Sequence, residues 1–146
     1  IYNTGYTEML SGLKTTYDPK HKTRLDNELH NYGGSSNIKI VKTKTIKTIL
    51  KELNVKHVNY ISIDVEGGEK NVIESIDFNT TFIDVISFED NYRDTTEKII
   101  KLMQDKNYIL IGRFGDIIMI HKDSNFIDRL DYKKIMSLTK RDEEYG

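Results

Sequence analysis

One segment of the sequence, NYISIDVEGGEKNVIESIDF from Asn59 to Phe78, constrains the fold more than any other. Its apolar run ends abruptly at Asp64, and the glycine pair Gly67 and Gly68 precedes apolar residues spaced three and four positions apart. The first pattern is typical of a buried strand, and the second is typical of an amphipathic helix. Because parallel sheets are built from strands that alternate with helices, this segment predicts an α/β fold.

Strands and helices alternate along the rest of the chain as well. The spacing of Ile46, Ile49, Leu50 and Leu53 predicts a helix before this strand. After it, IDVISFEDN predicts a second strand that ends in acids, and TTEKIIKLMQDK predicts a helix. The last apolar segment, YILIGRFGDIIMIH, predicts an antiparallel hairpin because its two halves are separated by a short polar turn.

This order predicts a parallel sheet with right-handed crossovers, completed by the hairpin. We expect the strand at residues 60–64 to pair in parallel with the strand at residues 84–88. Residues 117–120 are expected to form a buried antiparallel strand. Ligands bind to such sheets outside the carboxyl ends of the strands. The acids expected at that edge are Asp64, Glu66, Glu89 and Asp90.

The flanking regions carry weaker signals. The stretch YDPKHKTRLDNELHNYGG predicts a helix that begins at Pro19 and ends at Gly33. Ile38 and Ile40 alternate with lysines, which predicts a short, half-exposed strand. A final helix is predicted near residues 132–138.

Size and composition narrow the class of protein. The 146 residues suit one domain, and 37% hydrophobic with 31% charged residues indicate a folded globular chain. A formal net charge of -1 argues against a nucleic-acid partner. No apolar run reaches the roughly 18 residues of a membrane span, so no membrane partner is expected. The absence of cysteine excludes thiolate zinc sites and a cysteine nucleophile, and we expect a cytoplasmic location.

The segment YISIDVEGGEKNVIESIDF, followed by DVISFEDNY and YILIGRFGDIIMIH, resembles the C-terminal half of FkbM-type methyltransferases. These are S-adenosylmethionine-dependent enzymes with the class I, Rossmann-like fold. GYTEMLSGL and TIKTILKELNV match the family pattern upstream, so the resemblance covers most of residues 5–121. It implies that the strands are the fourth to seventh of a seven-stranded sheet whose last strand is antiparallel.

The resemblance also implies two cofactor-binding features that this sequence lacks. Family members carry a glycine-rich loop after the first strand and an acid after the second strand that holds the ribose. Gly33 and Gly34 follow a predicted helix, so they do not provide that loop. We therefore expect residues 1–146 to form a single partial methyltransferase domain that lacks the N-terminal glycine-loop half. By themselves they would bind S-adenosylmethionine weakly and be inactive, and the exposed strand edge would favour a homo-oligomer.

The reaction implied by the resemblance is methyl transfer from S-adenosylmethionine to a hydroxyl of a small molecule or sugar. Asp64 is expected at the edge between cofactor and acceptor, where it would bind the cofactor and take part in catalysis with Glu66. Ser11 is also expected to bind the cofactor. Glu66 is the expected general base, because neighbouring acids and burial raise the pKa of a carboxyl group. The residues expected to contact the acceptor are Glu69, Glu89 and Asn91. No residue is assigned to a metal.

Three other interpretations stay open. The acids could simply end a strand and cap a helix, since a helix N-terminus favours an anion. They could instead bind a hard cation such as Mg²⁺, which prefers oxygen ligands, in a metal-dependent transferase or hydrolase. The chain could also be a non-catalytic binding or structural module that has kept half of the fold. For Ser11, the alternative is an ordinary surface loop.

Overall fold

The computed structural model describes residues 1–5, 11, 12, 14, 19–90, 92–131, 133 and 135. Its strands are β1 (Tyr2–Thr4), β2 (Ser35–Asn37), β3 (His57–Ile63), β4 (Phe82–Glu89), β5 (Tyr108–Phe114) and β6 (Asp116–His121). Its α-helices are α1 (Pro19–Tyr32), α2 (Ile46–Glu52), α3 (Glu69–Glu74) and α4 (Arg93–Gln104), and a 3₁₀ turn follows at Ile127–Arg129. The chain is therefore a mixed α/β protein, as the alternation of patterns predicted.

The main sheet has four strands in the order β3-β4-β6-β5. β3 and β4 are parallel, with Ile63 opposite Phe88, which confirms the predicted pairing. β6 is antiparallel to both β4 and β5, so the hairpin inserts its second strand beside the parallel pair. Within the predicted run 117–120, Ile117, Met119 and Ile120 are buried, and this prediction is also confirmed.

The core forms on both faces of β4, one of the two inner strands of the sheet. Ile83, Ile86 and Phe88 are completely buried although they do not all point to the same face. Helix α4 covers one side, with its buried residues spaced as a single helical stripe: Thr96, Ile99, Ile100 and Met103. Burying each large apolar side chain stabilises the fold by about 1.5–3 kcal/mol, so this stripe accounts for the position of the helix.

The shorter helices follow the sequence signals in part. The Thr45 hydroxyl accepts a hydrogen bond from the amide of Thr48, which caps α2 at its N-terminus. None of the residues of α2 is fully buried, and Leu53 is 67% exposed, so its predicted apolar face is only partly covered. Among the described residues, no helix is both long enough and apolar enough to cross a membrane.

Two features of the N-terminal region differ from, or go beyond, the sequence prediction. The strand predicted at Ile38 and Ile40 is wrong, because β2 ends at Asn37 and Ile40 is 96% exposed. β2 instead pairs with β1 in a small antiparallel sheet. Alternating apolar residues form a strand only where they can pair with another strand and pack against a core, and the residues described around Ile40 offer neither partner.

The helix predicted near residues 132–138 lies almost entirely outside the described residues.

The terminal hairpin has a glycine at its turn and another at its register shift. Gly115 reverses the chain between β5 and β6 with φ of +76°, a conformation that a side chain would strain. The register shifts between Leu110 and Gly112, and a Cβ at Gly112 would lie 2.5 Å from the ring of Phe114. The predicted hairpin is therefore present, and it contains a bulge at which a side chain in place of Gly112 would require the Phe114 ring to move.

A buried carboxylate holds the amino end of the sheet together. Asp84 on β4 is 2% exposed, and its Oδ1 accepts a hydrogen bond from the Ser124 hydroxyl at 2.6 Å. Its Oδ2 is hydrogen-bonded to His57 Nε2 at 2.7 Å and to Asn59 Nδ2 at 3.0 Å. Burial by itself would raise the pKa of Asp84, but the hydrogen bonds from Ser124, His57 and Asn59 outweigh it and hold the pKa below its usual range. One side chain thus links β3, β4 and the segment that follows β6.

We expect Asp84→Asn to lower the free energy of unfolding by about 2 kcal/mol at pH 7, because the change removes a charged acceptor from three donors. A lowered folded-state pKa stabilises the fold above the unfolded value of about 3.9, and this stabilisation is lost as the pH falls through the folded value. Denaturant titrations at pH 7 and pH 3 should therefore show a difference between wild type and variant that shrinks in acid. Asp105→Asn, at an exposed position after α4, is the matched control. An equal difference at both pH values would contradict this account of Asp84.

Candidate active site

The site begins where β3 passes into α3 through a five-residue turn. Glu66 and Gly67 both have positive φ values, +52° and +98°. Gly67 adopts this conformation easily, whereas it is uncommon for a residue with a side chain such as Glu66. The turn reverses the chain within a few residues, so α3 begins at Glu69 directly beside the end of the strand.

Three carboxylates converge at this turn, as the sequence predicted from the carboxyl ends of the two parallel strands. Asp64, Glu66 and Glu89 each offer one oxygen, and the three oxygens lie within 4.8 Å of one another. The parallel register explains the approach, because Ile63 lies opposite Phe88 and the next residues of the two strands carry the acids. Asp64 is exposed, whereas Glu66 and Glu89 are half-buried.

This crowding changes the ionisation of two of the acids. Burial first, and then the charges of Glu66, Asp64, Glu69 and Asp116, raise the pKa of Glu89 to about 7. Asp116 contributes because it lies opposite Glu89 in the pairing of β4 with β6. One oxygen of Glu89, Oε2, is buried without a hydrogen-bond partner in the described part of the chain. Glu89 is therefore poised to exchange a proton near neutral pH.

The pKa of Glu66 is raised as well, chiefly by burial and by the neighbouring charge of Asp64. Arg24 on α1 acts in the opposite direction, because its positive charge stabilises the ionised form. The guanidinium also interacts with Glu89, and its Nε donates to Glu28 at 2.8 Å. No local pattern in the sequence indicates that the charge of Arg24 acts on these acids.

A cleft of about 790 Å³ opens beside the carboxyl end of β3. Ser11, Asp64, Gly68 and Asn71 contribute to its wall, together with apolar residues of β3 and α3. The Ser11 hydroxyl accepts a hydrogen bond from the Asn3 amide at 3.1 Å, which ties this residue to β1. Asp64 belongs to both the cleft and the acid cluster, so the two features form one continuous site.

The structure locates the other residues predicted for the site. Glu69 is only 4% exposed, and its Oε1 accepts hydrogen bonds from the amides of Val65 and Gly67 at 3.2 and 3.1 Å. Asp90 is paired with Arg113, whose Nη1 lies 3.1 Å from Asp90 Oδ2. Asn91 lies outside the described residues. The structure thus brings together Ser11, Asp64, Glu66, Glu69 and Glu89, and their roles stay predictions.

The arrangement can hold two kinds of ligand. A cleft of this volume is within the roughly 300–1,000 Å³ usual for small-molecule and cofactor sites. The Ser11 hydroxyl, the Asp64 carboxylate and the Asn71 amide could bind ammonium and hydroxyl groups of S-adenosylmethionine, so these residues suit one wall of such a site. The three clustered carboxylate oxygens have the chemistry that Mg²⁺ prefers.

A family model described as the methyltransferase FkbM domain matches residues 2–110. The matched region begins in β1 and ends within β5, so it includes the turn after β3 and the whole of β4. The match confirms the family that the sequence resembles. No curated protein matches the chain, and no solved structure matches it.

We expect Glu89→Gln to stabilise the fold above neutral pH, because the variant removes a carboxylate whose ionisation is unfavourable in this cluster. A raised folded-state pKa stabilises the fold fully below the unfolded value of about 4.3, and this stabilisation is lost as the pH rises towards the folded value. The melting temperature of the variant should therefore match that of wild type near pH 4 and exceed it at pH 8. Glu52→Gln, on the exposed surface of α2, is the control. A difference that does not change with pH would show that Glu89 is not crowded by acids.

Proposed function

The chain belongs to the FkbM methyltransferase family, and from this premise we propose that it carries the acid-rich half of an S-adenosylmethionine-dependent O-methyltransferase site. The acceptor in this proposal is a hydroxyl of a small molecule or a sugar. The fold proposed is the C-terminal part of the Rossmann-like class I methyltransferase fold. The order β3-β4-β6-β5, with parallel β3 and β4 and an antiparallel β6, agrees with the fourth to seventh strands of that fold.

The observation that carries the proposal is the position of Asp64. Asp64 lines the cleft beside β3, and its carboxylate is also one of the three that converge. A methyltransferase needs a donor site and a proton-accepting group within reach of one acceptor atom, because the methyl group arrives as the hydroxyl loses its proton. A cleft with an acid cluster at its edge meets both needs.

On the donor side, S-adenosylmethionine supplies an electrophilic methyl group when it is bound. Asp64 and Asn71 would hold its polar amino-acid end, and the charge of Asp64 would favour a cation in the cleft. Ser11, which also lines the cleft, would add a hydroxyl. Gly68 also lines the cleft and has no side chain that would occupy it.

On the acceptor side, the proton is taken by the pair formed by Glu66 and Glu89. A general base is most effective when its pKa lies near the working pH, and the pKa of Glu89 is about 7. Glu66 is the base expected from the sequence. In this arrangement it also acts on Glu89, because the negative charge of Glu66 is the largest electrostatic cause of the raised pKa of Glu89. Asp64 and Glu66 keep that pKa high, while Arg24 limits the build-up of negative charge.

We expect Glu89→Gln to lower the turnover number about 10²–10⁴-fold, the usual contribution of a general base, with little change in the affinity for S-adenosylmethionine. Asp64→Asn should weaken that affinity about tenfold, because it removes the charge that faces the donor. The assay would follow formation of S-adenosylhomocysteine by the full-length protein with a panel of sugar and small-molecule hydroxyl acceptors. Glu52→Gln again serves as the control. Full activity of Glu89→Gln with its best acceptor would assign the base to Glu66 or to no residue of this chain.

The same assay distinguishes the roles of the two glutamates through its pH dependence. Wild-type turnover should rise with pH as Glu89 loses its proton near pH 7. Glu66→Gln removes a neighbouring negative charge, so the pKa of Glu89 should fall and the rising limb should move to lower pH. If Glu66→Gln abolishes turnover at every pH, Glu66 itself is the base.

The metal-dependent alternative is also supported by one observation, the convergence of three carboxylate oxygens within 4.8 Å. In that case Mg²⁺ would bind Asp64, Glu66 and Glu89 and lower the pKa of the acceptor hydroxyl. Calorimetric titration of the protein with MgCl₂ separates the two proposals. Binding that each single carboxylate-to-amide variant abolishes, together with turnover that requires Mg²⁺, would favour the metal.

A further inference from the structure

Glu69 is the buried first residue of α3, and it follows directly after the turn that carries Glu66. The residue is 4% exposed, and its Oε1 accepts hydrogen bonds from the amides of both Val65 and Gly67. These two amides flank Glu66 in the chain. One carboxylate oxygen therefore holds the backbone immediately before and immediately after the residue that carries the central acid of the site.

The backbone that Glu69 holds is in an unfavourable conformation. Glu66 has φ of +52°, which costs free energy in a residue that has a side chain. Such a conformation persists only where the surroundings impose it, and charge-assisted hydrogen bonds from backbone amides to a carboxylate are stronger than neutral ones. The acceptor comes from Glu69, the first residue of α3, which accepts from two amides that precede the helix.

We propose that Glu69 is a positioning residue that keeps Glu66 in its left-handed conformation and thereby directs the Glu66 carboxylate towards Asp64 and Glu89. This inference rests on the proposed function for its catalytic consequence, but the contacts of the turn do not depend on that function. In this proposal Glu69 positions the backbone of the turn, whereas the sequence predicted that Glu69 contacts the methyl acceptor.

The chemistry of the two hydrogen bonds suggests three informative variants. Glu69→Gln retains a carbonyl oxygen at the same distance from the backbone, so it can accept from both amides. Glu69→Leu has a similar size and no acceptor, so it leaves the amides of Val65 and Gly67 without a partner. Glu74→Gln is the control, because Glu74 lies on the same helix but is exposed and paired with Lys70.

Amide hydrogen exchange of the full-length protein, measured by NMR, tests the contact without an activity assay. We expect the amides of Val65 and Gly67 to exchange at least tenfold faster in Glu69→Leu than in wild type, and within about threefold of wild type in Glu69→Gln and Glu74→Gln. Core amides such as those of Ile86 and Phe88 report global stability. Equal exchange of the Val65 and Gly67 amides in wild type and Glu69→Leu would overturn the proposal, whereas acceleration of the core amides by the same factor would indicate a loss of stability and also count against it.

Steady-state methyl transfer with the best acceptor of the panel then tests the catalytic consequence. We expect Glu69→Leu to lower kcat at least tenfold with less than a threefold change in KM for the acceptor, and Glu69→Gln to recover most of the turnover. A rise in KM with unchanged kcat would instead make Glu69 an acceptor ligand and overturn the proposal. If wild type shows no methyl transfer, the proposed function fails, and the exchange experiment still decides whether Glu69 holds the turn.

Discussion

The parallel pairing of β3 with β4 is the constraint on which the rest of the structure depends. It places Ile63 opposite Phe88, and both side chains are buried in the core. A slip of one residue would turn every side chain of β3 to the other face of the sheet and remove Ile63 from the core. The same register brings the acids that follow each strand to one point, so the burial that stabilises the sheet also assembles the site.

The carboxylates at the two ends of this strand pair have pKa values shifted in opposite directions. At the amino end, Asp84 is surrounded by three hydrogen-bonding partners, two on β3 and one after β6, and its pKa is lowered even though burial opposes the charge. At the carboxyl end, Glu89 is surrounded by other acids, and its pKa rises to about 7. The physical difference is the kind of neighbouring group, since hydrogen-bond donors stabilise the ionised carboxylate and like charges destabilise it. One carboxylate therefore contributes stability, and the other is available for chemistry.

Strain at the site has an identifiable cause. Glu66 occupies a backbone region that costs free energy, and Glu69 holds the amides on both sides of it. Proteins tolerate such conformations where the surrounding structure imposes them, and they are common at functional sites. Gly67 therefore has a specific part in this turn, because it continues the left-handed conformation that Glu66 begins.

The sequence by itself determined the order of strands and helices from Ile46 to His121 and the clustering of acids at the carboxyl ends of two strands, because periodicity and the topology of parallel sheets are local or general rules. It also indicated the family through the segment around Asp64. Only the tertiary structure decided that Ile40 stays exposed, that Arg24 lies beside the acids, and that Glu69 faces the turn. It also decided the raised pKa of Glu89, because burial and four neighbouring charges come from separate elements. The exposure of Ile40, the effect of Arg24 and the pKa of Glu89 depend on distances between residues far apart in the chain, which no local pattern specifies. The contact of Glu69 is local in sequence, but it depends on the backbone conformation of the turn.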